Sequence, residues 1–490
     1  MSLRARVLKG TLSLAAGRSL GDVCSLARNI IVARMLTPAD VGIGATFWIT
    51  VALLQMISDL ASDRLLVQAK DGDEPRFQAT VHLWEFGRGL INSILLFAAA
   101  WPVAHLFKAP EALWAFQCVA LVPLLRGLSH LDITRFHRRL HYRPQVTIEL
   151  SAQIAALALA YPLCRWLGDY SAVLAIALLQ GLIQTIGSHV AAERSYRWAW
   201  SGAHLRRMFA FGWPLLANGL LLFAIMQGDH LIVGTAFSTH ELGLYAMAFA
   251  LATAPFMLVG SVLNPVALPL LSAVQDQPAA FERRVRLCNG AFALAAGVAG
   301  IPLLVSAPWL LRVLYGAEYG QASGVFAWLV VARMVWLLRH TPTTAAMARS
   351  DTKNALAANV FRVSGVVLAI LAAALSYSLA AIALAAVIGE FCALLASTIR
   401  LRRLHGVAAS ATLVPLQVLL AAIVAAGLLQ AGGYSERSLS AMLLAAVLIA
   451  LYGAALLLVV PSLKAEMHRG LSAVRSRLGS VLVRVGDSRP

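Results

Sequence analysis

Charge is scarce in this chain. Only 13% of its 490 residues are Asp, Glu, Lys or Arg, and mean hydropathy is +0.76, whereas a soluble domain carries about 25% charged residues. That excludes a water-soluble fold with a charged surface. Cysteine is sparse too. Cys24, Cys118, Cys164, Cys288 and Cys392 show no CxxC and no metal-ligand spacing, so small buried residues are expected rather than disulfides or a thiolate metal centre. The sequence has no Walker A segment, no zinc motif and no nucleophile elbow, so it offers no sign of nucleotide-driven or metal-dependent chemistry, and neither cofactor nor metal is expected. Acidic residues are outnumbered 23 to 40, giving a formal net charge of +17. In a soluble protein that excess would suggest nucleic acid. Here most basic residues stand in short connections between apolar runs, so they fit a positive-inside bias and attraction to anionic headgroups, with no nucleic-acid partner.

What the chain does have is long apolar runs. About fourteen stretches of roughly twenty mostly apolar residues follow one another, each long enough to cross a bilayer. They fall at approximately 11–33, 42–68, 80–106, 112–131, 146–165, 171–192, 208–236, 243–271, 288–311, 322–346, 354–376, 378–399, 410–431 and 438–461. Of the 40 basic residues, 27 fall in the N-terminal stretch, alternate connections and the C-terminal tail, 5 in the other connections and 8 inside spans. The split puts both termini in the cytoplasm of a multi-pass membrane protein. The basic start, Met1 to Lys9, is followed by a run that keeps Arg18, Asp22 and Arg28 and lacks a small-residue cleavage site, so no signal peptide is expected. The opposite-side loops are all short and leave no domain there to carry catalysis. After Pro461, Leu463, Met467, Leu471, Val474, Leu478 and Val481 recur at spacings of three and four among basic residues; the tail, 462–490, is expected to lie as an amphipathic helix on the inner leaflet.

One segment repeats. Ile31-Val-Ala-Arg-Met-Leu-Thr-Pro-Ala-Asp-Val-Gly-Ile-Gly-Ala45 matches Ile232-Val-Gly-Thr-Ala-Phe-Ser-Thr-His-Glu-Leu-Gly-Leu-Tyr-Ala246 at an offset of 201, with Ile31, Val32, Gly42 and Ala45 identical to Ile232, Val233, Gly243 and Ala246. Both copies join an odd span to the next even one, so span one corresponds to span seven in the same orientation. Parallel repeats of this kind relate two halves about an axis along the membrane normal, with a substrate path between them.

The charges left inside the spans point to function, because a charge at bilayer depth costs at least about 2.5 kcal/mol unless it is paired or faces water. Arg18 and Asp22 are four apart on span one and share a face. Arg28 follows on the same span and, at the repeat offset, corresponds to Asp229 of the Asp229-His230 pair; opposite charges at equivalent positions can face each other across a central cavity. Asp59, Asp63 and Arg64, His82, Glu85 and Arg88, Arg126, Arg333, Arg339 and His340, Arg362, and Glu390 complete the set. Asp63, Arg64, His82, Glu85, Arg126 and Arg339 fit structural pairing or snorkelling at span ends. Arg18, Arg28, Arg333 and Arg362 are candidates for a substrate cavity, since the planar guanidinium makes bidentate bonds to phosphate. Asp22, Asp59, Asp229, His230 and Glu390 are candidates for a coupling-ion site or for charge pairs. The loop Arg135-Phe-His-Arg-Arg-Leu-His-Tyr-Arg143 reads as an ordinary basic connection. Pro342 and Asn264-Pro265 read as tolerated kinks, and Trp101, Trp166, Trp198, Trp200, Trp213 and Trp309 as interfacial anchors.

Three segments resemble a known family. Val32-Ala-Arg-Met-Leu-Thr-Pro-Ala-Asp-Val-Gly42, then Gly228-Asp-His-Leu-Ile-Val-Gly234 with Glu241-Leu-Gly-Leu-Tyr245, then Leu268-Pro-Leu-Leu-Ser272, look like the ARxLxPxxxG, DxxxIG…LGxY and PxxS segments of bacterial polysaccharide-export flippases. That is the O-antigen or exopolysaccharide branch of the multidrug/oligosaccharidyl-lipid/polysaccharide exporter superfamily. The resemblance implies an all-α integral membrane protein of about fourteen transmembrane helices, arranged as two pseudo-symmetric lobes, 1–205 and 206–404, with two additional helices over 405–461. It implies a flippase that moves an undecaprenyl-diphosphate-linked oligosaccharide across the bacterial inner membrane by alternating access, with polymerase and chain-length proteins of the same pathway as further partners. The family carries no shared catalytic signature, so the site candidates rest on charge alone. With no ATP site, a proton, a sodium ion or a downhill substrate gradient would drive transport. The rivals are a lipid II flippase, a multidrug exporter, which the Arg excess disfavours, and a membrane polymerase or ligase, which would be expected to carry a large periplasmic loop.

Overall fold

A computed structural model describes residues 3–432 and 438–467, which form helices joined by short turns without a strand among them. The chain runs α1 (Leu3–Met35), α2 (Pro38–Ser58), α3 (Ser62–Gln68), α4 (Pro75–Leu106), α5 (Leu113–Val119), α6 (Leu121–Gly127), α7 (Asp132–Arg138), α8 (Arg143–Leu167) and α9 (Ser171–Val190). It continues through α10 (Gly202–Ala236), α11 (Thr239–Ser272), α12 (Pro278–Val305), α13 (Ala307–Tyr315), α14 (Ser323–Ala348), α15 (Lys353–Ala374), α16 (Leu379–His405), α17 (Ser410–Ala431) and α18 (Ser438–Val459). The tail expected to be amphipathic lies outside the described residues from 468 onward.

Among the described residues twelve helices are long and apolar enough to cross a membrane, or thirteen if a bent pair counts as one span, so the expected count of fourteen is not confirmed. Charge accounts for the difference at the start: α1 is 33 residues long, but Arg18, Asp22, Arg28 and Arg34 lower its hydropathy. The bent pair is Pro110–Gly127 with Asp132–Arg138, which turn by 50° across the break between them. Span two, expected as one run over 42–68, is also broken. The Asp59 carboxylate accepts from the Ala61 amide at 2.8 Å, and Ala61 takes a left-handed φ of 49°. A short acidic side chain that captures a nearby amide competes with the helix ladder. Pro342 sits inside α14, whose helix continues past it.

Two compact units emerge. One comprises the described residues of Met1–Ser261, Leu310–Leu329 and Val363–Ala386, the other those of Val262–Trp309, Val330–Arg362 and Val387–Pro490. In the first, α1 lies along α8, α8 along α9, α4 on α6 and α10 on α2; Phe77, Val81, Leu65, Leu66 and Met208 form one of its apolar clusters. In the second, α12 packs on α17 and α18. Tyr452 on α18 donates to the Ala293 carbonyl of α12 at 2.6 Å, and the loop ends of the unit close over Leu271, Phe281, Val285, Ala345 and Leu401. Outside these cores many large apolar side chains are exposed, Ile94, Phe97, Val262 and Leu451 among them, as a lipid-facing surface requires. Trp101, Trp166, Trp198, Trp200 and Trp213 are exposed as well.

Candidate functional site

The repeat is where the first unit builds its site. Each copy ends one helix and starts the next with the same device. Thr37 accepts from the Asp40 amide while the Asp40 carboxylate takes the Thr37 amide, and Pro38 opens α2. Ser238 and Glu241 repeat that reciprocal cap at α11. The copies then meet. A Cβ on Gly42 would stand 1.8 Å from the Thr239 carbonyl oxygen, and one on Gly243 would stand 1.8 Å from that of Pro38. Only glycine permits this approach, and its reciprocity is the signature of a local two-fold relation.

Beside this junction lies a cavity of about 270 Å³ lined by Arg28, Asn29, Gln180, Gln227 and His230, with Trp48 and Phe249 as aromatic walls. Among the described residues no carboxylate lines it. Arg28 is half-buried and donates to Ser25 Oγ at 3.0 Å and Asn29 Oδ1 at 3.2 Å, both neutral. The equivalent position in the other copy, Asp229, faces inward to its own cluster: its carboxylate accepts from the buried Tyr245 hydroxyl at 2.8 Å and from the His230 amide at 2.8 Å, and lies 3.0 Å from His230 Nδ1. The structure therefore brings Arg28 and His230 to one cavity, while Asp229 stands behind His230. Net positive charge, amide donors and acceptors, and aromatic faces together suit a ligand that is both anionic and rich in hydroxyls.

Other expected site residues are placed elsewhere. Arg18 and Asp22 are exposed one turn apart on α1. Asp59 is exposed at the α2–α3 break and borders a polar hollow of about 330 Å³ with Gln55, Asp63, Glu85, Arg88 and Arg126. There Glu85 pairs with Arg88 and accepts from Ser62 Oγ at 2.5 Å, and Arg126 bonds to Gln55. Arg333 is half-buried on α14. In the second unit Glu390, 3% exposed, lies between two guanidiniums: Arg339 Nε at 3.2 Å and an Arg362 nitrogen at 2.6 Å. Arg362 and Glu390 thus form one buried ion cluster together with Arg339. Glu390→Gln is expected to destabilise the protein by about 3–5 kcal/mol, because it strands two desolvated cations. Thermal unfolding of the purified variant checks this, and an unchanged melting temperature would remove the cluster's structural role.

Sequence reasoning missed several groups. Asn29, Gln180 and Gln227 are polar residues in apolar runs, a signal that was available; Trp48 and Phe249 gave none, since aromatics are ordinary in spans. It also missed Asp132, fully buried, whose carboxylate accepts from Arg135 Nε at 2.6 Å and from the amides of Glu193 at 2.7 Å and Arg194 at 3.2 Å. With Arg138 donating to the Leu66 carbonyl at 2.7 Å, the basic loop 135–143 is held as structure. A comparable clasp joins Asp351, in the turn between α14 and α15 and outside the spans, to Arg400 at 3.0 Å and His405 at 3.4 Å on α16. The Arg400 hydrogen bonds hold the Asp351 carboxyl below its ordinary pKa. A depressed carboxylate contributes stability that is present above its unfolded pKa of about 3.9 and is lost as pH falls through the lower folded value. Thermal unfolding at pH 6 and below pH 4 should show that loss, and Asp351→Asn should flatten part of it.

This multi-span helical bundle, with two symmetry-related helix junctions beside a cationic cavity, has the multidrug/oligosaccharidyl-lipid/polysaccharide exporter fold. Solved structures bear this out at the level of fold. The lipid II flippase MurJ in an inward closed conformation aligns with a TM-score of 0.68 at 13% identity, covering 92% of this chain and 99% of that one. An inward-facing multidrug resistance MATE family transporter of the MOP superfamily aligns with a TM-score of 0.66 at 12% identity, covering 78% and 94%. The chain belongs to the polysaccharide biosynthesis protein family, whose model matches residues 31–324. Among its relatives are the amylovoran biosynthesis protein AmsL of Erwinia amylovora, 21% identical over 49% of this chain and 63% of that protein, and the succinoglycan biosynthesis transport protein ExoT of Rhizobium meliloti, 22% identical over 62% and 61%. The teichuronic acid biosynthesis protein TuaB of Bacillus subtilis is 20% identical over 54% and 56%. The chain thus matches somewhat under two thirds of the length of these relatives.

Proposed function

We propose that this protein is a flippase that carries a polyprenyl-diphosphate-linked oligosaccharide, with undecaprenyl as the carrier, from the cytoplasmic to the periplasmic leaflet of the bacterial inner membrane for surface polysaccharide synthesis. The observation that carries this reading is Arg28: a half-buried guanidinium in a cavity whose lining, among the described residues, offers amides and aromatic faces but no carboxylate. An embedded cation without an acid to balance it is suited to an anion that arrives from outside. The diphosphate supplies that charge, the sugar hydroxyls meet Asn29, Gln180 and Gln227, and Trp48 and Phe249 offer flat faces to the ring. The polyprenyl chain stays in lipid.

In this reading both termini face the cytoplasm, as the basic connections imply. The halves 1–205 and 206–404 exchange access by rocking about the repeat axis, and the helices over 405–461 are additional. A proton or sodium ion would act at the Asp229–His230–Tyr245 cluster. The family and its polysaccharide-producing relatives favour this substrate over lipid II or a cationic drug, and over a polymerase or ligase role, although proteins of those other transport classes share the fold.

The test is the sidedness of the lipid-linked oligosaccharide in vesicles from a strain lacking the protein. The saccharide is expected to accumulate facing the cytoplasm and to regain the outer leaflet when the protein is restored. Saccharide that reaches the outer face but stays unpolymerised or unattached would assign the protein a later step and overturn the proposal.

A further inference from the structure

We propose that the face shared by α15 and α16 holds an anionic phospholipid of the cytoplasmic leaflet, at a site separate from the transport cavity. A groove of about 590 Å³ runs between these helices, walled by Ala357 and Phe361 on α15 and by Cys392, Leu395, Ala396 and Ile399 on α16. The α16 residues fall at helical spacing on one face, and two of them, Cys392 and Ala396, are small. Arg400 and Arg403 close one end.

Three observations select the occupant. The first is length. From Cys392 to Ile399 the apolar wall advances about 10 Å at 1.5 Å per residue before Arg400 is reached, within the ~15 Å that one leaflet contributes to a ~30 Å hydrocarbon core. An acyl chain of one leaflet fits along it with its headgroup at the arginine end. The second is charge. Arg400 is tied to Asp351, but Arg403 is exposed and has no hydrogen bond or ion pair among the described residues. A free cation at the mouth of an apolar groove complements a phosphate headgroup. The third is fixation. At the same end, Asn354 Nδ2 donates to the Ser397 carbonyl at 3.0 Å, Ser397 Oγ donates to Asn354 Oδ1 at 2.5 Å, and Asp351 joins Arg400. The helices are pinned together there, so the groove is preformed rather than opened by the lipid. The basic connections place this end on the cytoplasmic side, where anionic lipid and Arg402, Arg403 and Lys353 would meet.

The full-length protein, delipidated in detergent, is titrated with phosphatidylglycerol and, separately, with phosphatidylcholine of the same chains, and bound lipid is counted by native mass spectrometry. Phosphatidylglycerol is expected to bind in preference. Arg403→Ala should weaken it about fivefold, the equivalent of roughly 1 kcal/mol for one basic residue near a charged headgroup, and Arg403→Glu should weaken it further. Ala396→Phe, which places a large side chain in the groove lining and leaves every charge in place, should remove the bound lipid. Equal binding of phosphatidylcholine would overturn the proposal, as would phosphatidylglycerol binding unchanged in both Arg403→Glu and Ala396→Phe. Binding of undecaprenyl phosphate at this groove in place of phosphatidylglycerol would also overturn it, by assigning the groove to the transported lipid.

Discussion

Replacing Arg28 with alanine is expected to abolish export of the lipid-linked saccharide while leaving the protein at its normal level in the membrane. Among the described residues the guanidinium makes two hydrogen bonds, to Ser25 and Asn29, and faces a cavity lined by no acid. Its removal deprives an incoming diphosphate of a charge-assisted contact worth about 1.5–3 kcal/mol, or roughly 10–100-fold in affinity. It leaves no buried carboxylate stranded, so thermal stability should stay level. Arg28→Lys should retain part of the activity, because it keeps the charge and loses the planar fork. Arg362→Ala should behave in the opposite way: it leaves Glu390 with Arg339 alone in a buried site and should lower the melting temperature first. The pair is read by export assay and thermal unfolding on the same preparations. Wild-type export from Arg28→Ala would remove the cavity from the mechanism.

The second large effect is expected at the repeat junction. Gly42→Ala must move a helix, because the new methyl would lie 1.8 Å from the Thr239 carbonyl oxygen, and Gly243→Ala faces the same obstacle at Pro38. Overpacking of this kind costs about 1–3 kcal/mol. The two substitutions act on one contact, so they should not add: once the first has parted the segments, the second finds room. A thermal double-mutant cycle measures this. Full additivity, or no loss from either single change, would show that the copies do not bear on each other as described. Export is expected to suffer as well, since a junction held apart shifts the balance between conformations.

Several elements were readable because their signals are local. The helices at 410–431 and 438–459 match the runs read from hydropathy almost residue for residue, since twenty apolar residues in lipid have few alternatives to a helix. The repeat was visible for the same reason: Thr37 with Asp40 and Ser238 with Glu241 are caps written in four residues. The break at Asp59–Ala61 was not visible, because a carboxylate capturing an amide two residues on has neither proline nor glycine to announce it. Nor was the division of the embedded charges. Arg28, Arg88 and Arg362 look alike in sequence, and only their neighbours separate a guanidinium paired with Glu85 or Glu390 from one with neutral partners.

The sequence by itself determined that this is a helical multi-span membrane protein with an internal repeat and a cationic balance, because hydropathy, caps and loop charge act within a few residues of the chain. The tertiary structure decided which charges neutralise each other, that Arg28 and His230 share a cavity and that Gly42 and Gly243 touch. The last two meetings join residues on different helices, about two hundred positions apart. Packing selects such meetings, and no local pattern encodes them.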